Sequence, residues 1–198
     1  MQFKTLLFLP LSLFACQQQE SLNKSKPLKI VYVQPFTGIT NQDALYVVSE
    51  LVKVYPHIQL KKTIALPGSA FYKPRNRYRA DSLIRFLRDQ TPQDCVSIGL
   101  TNKDISTSKN KYADWGVMGL AFCPGQACVA SAFRVSKTEK NMQLFKVAVH
   151  ELGHTEGLPH CAVKTCLMRD AEGGNPTNEE TGFCKSCKPY LVNRGWKL

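Results

Sequence analysis

Beyond its first 16 residues the sequence has no long hydrophobic run, no internal repeat and no low-complexity tract. A bilayer-spanning helix needs about 20 consecutive apolar residues, so a membrane-embedded fold is not expected. The absence of repeats argues against solenoids and propellers. Histidine is scarce as well, with four residues in 198, yet three of the four lie between positions 147 and 168. A chain of this length with 43% hydrophobic residues can bury a substantial core, so we predict one soluble domain.

Acidic residues are fewer than basic ones, 15 against 26, which gives a formal net charge of +11. This balance is common among nucleic-acid-binding proteins. The basic residues are scattered, however, with their densest cluster at Lys73 to Arg79, and the amino terminus indicates export. We therefore predict no nucleic-acid partner and a monomer with a solvated basic face; a weak attraction to anionic envelope surfaces is the alternative.

Residues 1–15 are predicted to be a lipoprotein signal peptide. Lys4 precedes a short apolar core, and Leu13, Phe14 and Ala15 stand before Cys16 in the layout of a bacterial lipobox. Cys16 would carry the lipid, and the polar residues 16–27 would form a tether to the cell envelope. An ordinary signal peptide cut elsewhere, or a buried first strand, remains an alternative.

The pattern that follows alternates between strands and helices. Apolar, β-branched runs predict strands over 28–36, 58–66 and 94–101. Helical periodicity predicts helices over 41–55, with Asn41 as the cap, and over 78–90. A hairpin is predicted around 123–126. A long helix, capped by Thr138, is predicted over 137–157. This order predicts an α/β (α+β) fold for residues 28–157. Residues 158–198 have little apolar periodicity, so we expect a small C-terminal subdomain that depends on a cross-link, such as a metal ion or a disulfide, for its stability.

Two histidines at helical spacing predict a metal site at the end of the long helix. His150 and His154 are four residues apart, so both imidazoles leave the same helix face. Glu151 is placed to reach a water on the metal rather than the metal itself. Gly157 can end the helix and reverse the chain, which allows His160 to approach as a third ligand. Three histidines leave a fourth position open, as is typical of catalytic zinc.

Four cysteines predict a second metal site. Cys161 and Cys166 form one short-spaced pair, and Cys184 and Cys187 form another. Two such pairs suit a closed tetrahedral zinc, whereas a Cys-x-x-Cys disulfide closes a strained loop. Two disulfides remain the alternative for an exported protein. A zinc ion here would staple the C-terminal subdomain and the third histidine ligand.

Taken together, this motif, from Val149 to Cys187, resembles the archaemetzincin (archaelysin) signature of the metzincin zinc metallopeptidases. The resemblance implies a twisted mixed sheet with a backing helix and an active-site helix. It also implies a catalytic zinc on the three histidines, Glu151 as general base, a structural zinc on the four cysteines, and Met168 in a Met-turn beneath the catalytic metal. One departure is a spacing of fifteen residues between Met168 and Cys184, where the family has about seventeen.

Three residues outside the motif also carry predictions. Cys123 and Cys128 flank the predicted hairpin turn and could form a disulfide in an oxidising envelope, with free thiols as the alternative. Tyr190 could reach the cleft, although packing in the core or on the surface is the commoner fate of a tyrosine.

The function predicted from these patterns is a zinc-dependent peptidase with peptide or protein substrates and two zinc ions. The alternative is a non-catalytic zinc-containing envelope lipoprotein that binds peptides. The presence of Glu151 favours the enzyme, because a binding protein needs no general base.

Lipidation at Cys16 has a direct test. We expect Cys16→Ser to release the protein from the membrane fraction, because the acyl chains are its only predicted hydrophobic anchor. Fractionation with mass spectrometry of the mature amino terminus measures this. Wild-type protein that is soluble and carries no acyl mass at residue 16 would contradict the prediction.

Overall fold

The structure is a computed structural model that describes residues 28–198. The predicted signal peptide, the lipid attachment at Cys16 and the tether over 16–27 lie outside the described residues. Between 28 and 198, no helix combines the length and apolar character needed to cross a membrane.

Nine strands and four α-helices form within the described residues. The strands are β1 (Ile30–Pro35), β2 (Ile58–Leu60), β3 (Phe71–Tyr72), β4 (Arg77–Arg79), β5 (Cys95–Thr101), β6 (Ile105–Lys109), β7 (Tyr112–Val117), β8 (Gly119–Ala121) and β9 (Ala127–Ser131). The helices are α1 (Asn41–Val54), α2 (Ala80–Arg88), α3 (Lys140–Thr155) and α4 (Cys187–Val192).

The central sheet has five strands in the order β2-β1-β5-β9-β8. Its first three pairings, β2 with β1, β1 with β5 and β5 with β9, are parallel, and β8 joins β9 antiparallel at the edge. Every residue of β5 and β9 is buried, because helices cover both faces, as parallel sheets require. The mixed sheet with helices confirms the predicted fold class.

Two apolar clusters fill the space on the two faces of this sheet. The larger cluster packs α1 and α3 against one face, with Leu51, Leu144 and Ile98 fully buried. The smaller cluster packs α2 against the other face through Leu83 and Ile84. Helix α3 is therefore fixed along its length by the core, and its C-terminal turn reaches the edge formed by β8 and β9.

Several predicted boundaries were wrong. Thr40, not Asn41, caps α1: its hydroxyl accepts from the Asp43 amide, and the Asp43 carboxylate accepts from the Thr40 amide. Helix α3 follows Glu139 with no side-chain cap, so Thr138 is not its cap. The strand expected over 58–66 ends at Leu60, and beyond it only an isolated bridge between Phe36 and Ile64 continues the pairing.

A second sheet, in the order β3-β4-β6-β7, was not predicted. Its strands are short and rich in polar residues, so they lack the alternation that identifies a half-buried strand. The predicted hairpin around 123–126 forms between β8 and β9, but the residues before Met118 belong to β7 and pair with β6 instead. This second sheet supplies one wall of the cleft described below.

Charged side chains hold the second sheet together. Arg77 donates to Asp104 at 3.0 Å and lies 3.3 Å from an Asp114 oxygen, and all three side chains are nearly buried. Arg134 donates to the other Asp104 oxygen at 2.7 Å, which ties the sheet to the loop before α3.

We expect Arg77→Leu to lower the free energy of unfolding by about 3 kcal/mol, because it leaves Asp104 and Asp114 without their shared buried partner. Chemical denaturation measures the change. Arg75→Leu is the matched control, since Arg75 is exposed and lies 3.7 Å from Asp114, and we expect a loss below about 1 kcal/mol. Equal losses in the two variants would contradict the prediction.

Candidate metal centre

His150 and His154 lie on the last turns of α3 and point to one place. Their Nε2 atoms are 3.0 Å apart. Each Nδ1 atom lies 2.7 Å from a backbone carbonyl, Leu167 O for His150 and Leu158 O for His154. A carbonyl can only accept, so each Nδ1 carries the proton and each Nε2 presents a lone pair to the shared point.

The chain then reverses to bring in the third histidine. Gly157 has φ +95°, a conformation that glycine adopts without steric cost, and its amide donates to the His154 carbonyl. Pro159 follows, and the exposed His160 places its ring 4.7 Å from the His154 ring and 5.4 Å from the His150 ring. The predicted approach of His160 through this turn is what the structure shows.

The three imidazoles fit a tetrahedral zinc ion. One ring nitrogen from each histidine lies within 4.8 Å of the other two. Zinc–nitrogen bonds of about 2.0–2.1 Å place tetrahedral ligands about 3.4 Å apart, which is near the observed separation of the His150 and His154 nitrogens. Burial, reinforced by the neighbouring His154, lowers the pKa of His150 to about 3. Burial also lowers the pKa of His154, so both rings are neutral near pH 7, as metal ligands must be.

Glu151 is buried beside the histidines and lines the same cleft. Burial raises the pKa of its carboxyl group. Gly119 in β8 faces this carboxylate, and a β-carbon at that position would overlap it. Sequence reasoning missed Gly119, since its importance lies only in its position opposite a residue 32 positions away.

The four cysteine sulfurs form a second cluster behind the histidines, all within 4.8 Å of one another. Cys161 Sγ and Cys184 Sγ are 3.7 Å apart. A disulfide requires about 2.05 Å, whereas a tetrahedral zinc with bonds of about 2.3 Å places sulfurs about 3.8 Å apart. Backbone amides of Met168 and Cys184 point at Cys166 Sγ, at 3.5 and 3.4 Å. All four cysteines are free thiols, and the geometry favours a metal over two disulfides.

The sequence of the chain matches the model of peptidase family M54 over residues 43–193. The chain belongs to peptidase family M54. This confirms the resemblance to the archaemetzincins and the predicted enzyme class, a zinc metallopeptidase.

Individual relatives agree with the assignment to family M54. The archaemetzincin of Methanopyrus kandleri is 32% identical over 135 residues, which cover 66% of this chain and 75% of that protein. The archaemetzincin of Archaeoglobus fulgidus is 28% identical over 166 residues, covering 79% and 95%. The crystal structure of the Archaeoglobus protein, in complex with malonate, superposes with a TM-score of 0.70 at 25% identity and covers 81% of this chain and 98% of that one. The crystal structure of the Methanopyrus protein superposes with a TM-score of 0.70 at 26% identity and covers 84% of this chain and 95% of that one.

Met168 lies beneath the active-site helix of this family M54 chain. It is fully buried, and its sulfur would lie 2.6 Å from a β-carbon at Gly153, so the glycine allows the helix and the methionine to pack closely. The preceding residue, Leu167, supplies the carbonyl that orients His150. The segment of Leu167 and Met168 is thus held against α3 in two ways, by the hydrogen bond to His150 and by packing against Gly153.

The structure does not join Cys123 and Cys128 as the predicted disulfide, and both residues are free thiols in it. Cys128 lies in β9 with its side chain fully buried in the core, opposite Ala121 of β8. Cys123 lies beyond the end of β8, is exposed, and directs its sulfur to the Leu158 carbonyl 3.6 Å away. The two side chains therefore point to different environments.

Tyr190 does not line the cleft. Its hydroxyl donates to the Glu156 carbonyl at 3.1 Å, and its ring carries the Arg194 guanidinium on one face. Tyr190 thus fastens α4 to the end of α3. The cleft, of about 550 Å³, is lined instead by α3, by β7 and β8, and by the loop over 169–180. Two of the charged residues that line the cleft, Glu180 and Lys146, belong to no local sequence motif that could have identified them.

Proposed function

We propose that this protein hydrolyses peptide bonds with a zinc ion on His150, His154 and His160, and with Glu151 as the general base. The observation that carries the proposal is the shared position of these groups. Ring nitrogens of the three histidines converge at a cleft, and the buried carboxylate of Glu151 lines the same cleft.

The chemistry follows from those positions. When bound, zinc would polarise the scissile carbonyl and lower the pKa of a water molecule. The Glu151 carboxylate takes the proton of the attacking water and delivers it to the leaving amine. The carbonyls of Leu167 and Leu158 hold the two helical imidazoles in the tautomer that faces the metal. Gly119 leaves room for the carboxylate to stand between the strand and the metal.

An extended peptide fits this arrangement. Strand β8 is the last strand of the central sheet and lines the cleft beside Glu151. Its edge away from β9 offers backbone donors and acceptors, and an extended substrate would add to it as a further strand. This contact would hold the scissile bond over the metal without depending on side chains.

We further propose a structural zinc on Cys161, Cys166, Cys184 and Cys187. The sulfur spacing and the amides that point at Cys166 support it. Attachment to the bacterial cell envelope through Cys16 is also a proposal, supported by the amino-terminal sequence alone. The alternative of a non-catalytic lipoprotein gains no support from the comparisons, because the matched family is one of peptidases.

We expect Glu151→Gln to reduce peptide hydrolysis by about 10²–10⁴-fold with the fold and the metal retained, because the carboxylate is a proton carrier and not a ligand. His150→Ala should lose both activity and the zinc of this site, since two histidines hold the metal poorly. Hydrolysis of a peptide library and zinc content are measured on the same preparations.

A Glu151→Gln protein with full zinc content and a wild-type rate of hydrolysis would contradict the assignment of Glu151 as general base. A zinc-loaded wild type that cleaves no peptide in a broad library would sink the proposed activity itself.

The second metal is tested separately. We expect two zinc ions per wild-type chain and one in Cys184→Ser, with the remaining ion on the histidines. The variant should also lose protection from proteolysis beyond Gly157, because metal binding supplies folding free energy to a segment with little core. Elemental analysis and limited proteolysis measure both effects. One zinc in wild type, with the four cysteines recovered as disulfides, would refute the second site.

A further inference from the structure

Glu180 is a buried carboxylate in the substrate cleft that the proposed mechanism does not use. The residue is 5% exposed, and it lines the same cleft as the histidines and Glu151. Within residues 28–198 its carboxylate accepts no hydrogen bond and forms no ion pair. A largely buried carboxylate with no donor from the protein can accept hydrogen bonds from a ligand that enters the cleft.

Lys146 ties the Glu180 backbone to the part of α3 that precedes the histidines. Lys146 precedes His150 by four residues, so both side chains leave the same face of α3, about 6 Å apart along the helix axis. The Lys146 ammonium donates to the backbone carbonyls of Thr177 and Glu180, each at 2.6 Å. Lys146 therefore holds the Glu180 backbone against the same cleft that the histidines line, where a substrate residue next to the cleaved bond would enter.

The cations nearest to Glu180 are engaged elsewhere. The Lys146 ammonium is satisfied by the two carbonyls, and Arg169 donates to the Glu179 carboxylate at 2.7 Å. Burial raises the pKa of Glu180 to about 7, and Lys146 and Arg169 offset this effect only in part. A further positive group entering the cleft would stabilise the ionised carboxylate.

We propose that Glu180 determines specificity by binding a lysine or arginine side chain of the substrate next to the scissile bond. The inference rests on the proposed peptidase function and names the substrate class of the same site. The carboxylate would accept hydrogen bonds from the ammonium or guanidinium group, and the stem of the substrate side chain would lie along the apolar lining formed by Val147 and Pro176.

The test compares N-acetylated peptides that differ only beside one cleavable bond, with arginine, lysine, leucine or glutamate on either side. Blocking the amino terminus removes the other cation that a peptide could offer. We expect wild-type kcat/KM to favour arginine over leucine by about 30-fold at one of the two positions, since a desolvated charge pair is worth about 2 kcal/mol or more. Glu180→Gln should reduce this ratio to near one.

Glu179→Gln is the matched control. It removes one negative charge from the adjacent residue, which is exposed and does not line the cleft. The glutamine amide oxygen can still accept the hydrogen bond from Arg169, so Arg169 stays engaged and we expect the variant to keep the arginine preference. Absence of the preference in wild type, its persistence in Glu180→Gln, or its loss in both variants would overturn the proposal. A preference seen only with unblocked peptides would overturn it as well, in favour of amino-terminal recognition.

A binding measurement tests this proposal independently of peptide hydrolysis. It uses only the wild-type protein, so it does not depend on whether a variant folds. Calorimetry with zinc-loaded wild type compares arginine hydroxamate with leucine hydroxamate, both N-acetylated. Tighter binding of the arginine compound by about 10-fold or more supports the inference even if no peptide is cleaved. Equal binding shows that Glu180 does not bind the residue before the cleaved bond, and it overturns the proposal unless the peptides show the arginine preference on the other side of that bond.

Discussion

The hydrogen bond from His150 to the Leu167 carbonyl joins the two halves of this molecule at the proposed catalytic centre. His150 belongs to a helix that the central sheet holds rigidly, whereas Leu167 belongs to a segment with almost no regular structure. The rest of the C-terminal part is arranged so that this carbonyl stays in place. Met168 is buried under Gly153, the Cys161 amide donates to the Met168 carbonyl, and Cys166 lies in the thiol cluster just before Leu167. The geometry of the histidines is therefore a property of both halves together.

This dependence explains why a 41-residue segment with so little periodicity folds in one way. Its apolar contribution is small but well placed: Trp196 packs edge-on against Tyr55 of the α1 end, and Leu191 is fully buried. Tyr190 adds a hydrogen bond to the end of α3. These contacts anchor the far end of the segment, and the thiol cluster closes the near end. Between them the chain is long enough to form the cleft wall that contains Glu180.

Sequence patterns predicted the parts of the structure that depend on local chemistry. The central strands β5 and β9 are apolar because both faces of the sheet are covered there. The histidine motif is local because one helix and one glycine turn create it. The second sheet was missed because its strands are held by Arg77, Asp104 and Asp114 rather than by an apolar face. Gly119 and Glu180 were missed for a related reason, since each takes its place in the cleft through a contact with helix α3 that is distant in sequence. Cys123 and Cys128 are not joined in the structure, because proximity in sequence does not determine which way a strand side chain points.

The adjacency of His160 and Cys161 has a consequence for how the protein would assemble. If the thiol cluster binds its metal first, His160 is held beside His150 and His154 before the second ion arrives. The effective concentration of the His160 ring at that site then rises, because the entropy of closing the 154–160 loop has already been lost. The histidine centre would then capture its ion as a preorganised chelator, with three ligands in place rather than two. Occupancy of the two centres would be cooperative, although neither ion shares a ligand with the other, and the peptide bond between positions 160 and 161 would be the physical link that transmits the coupling.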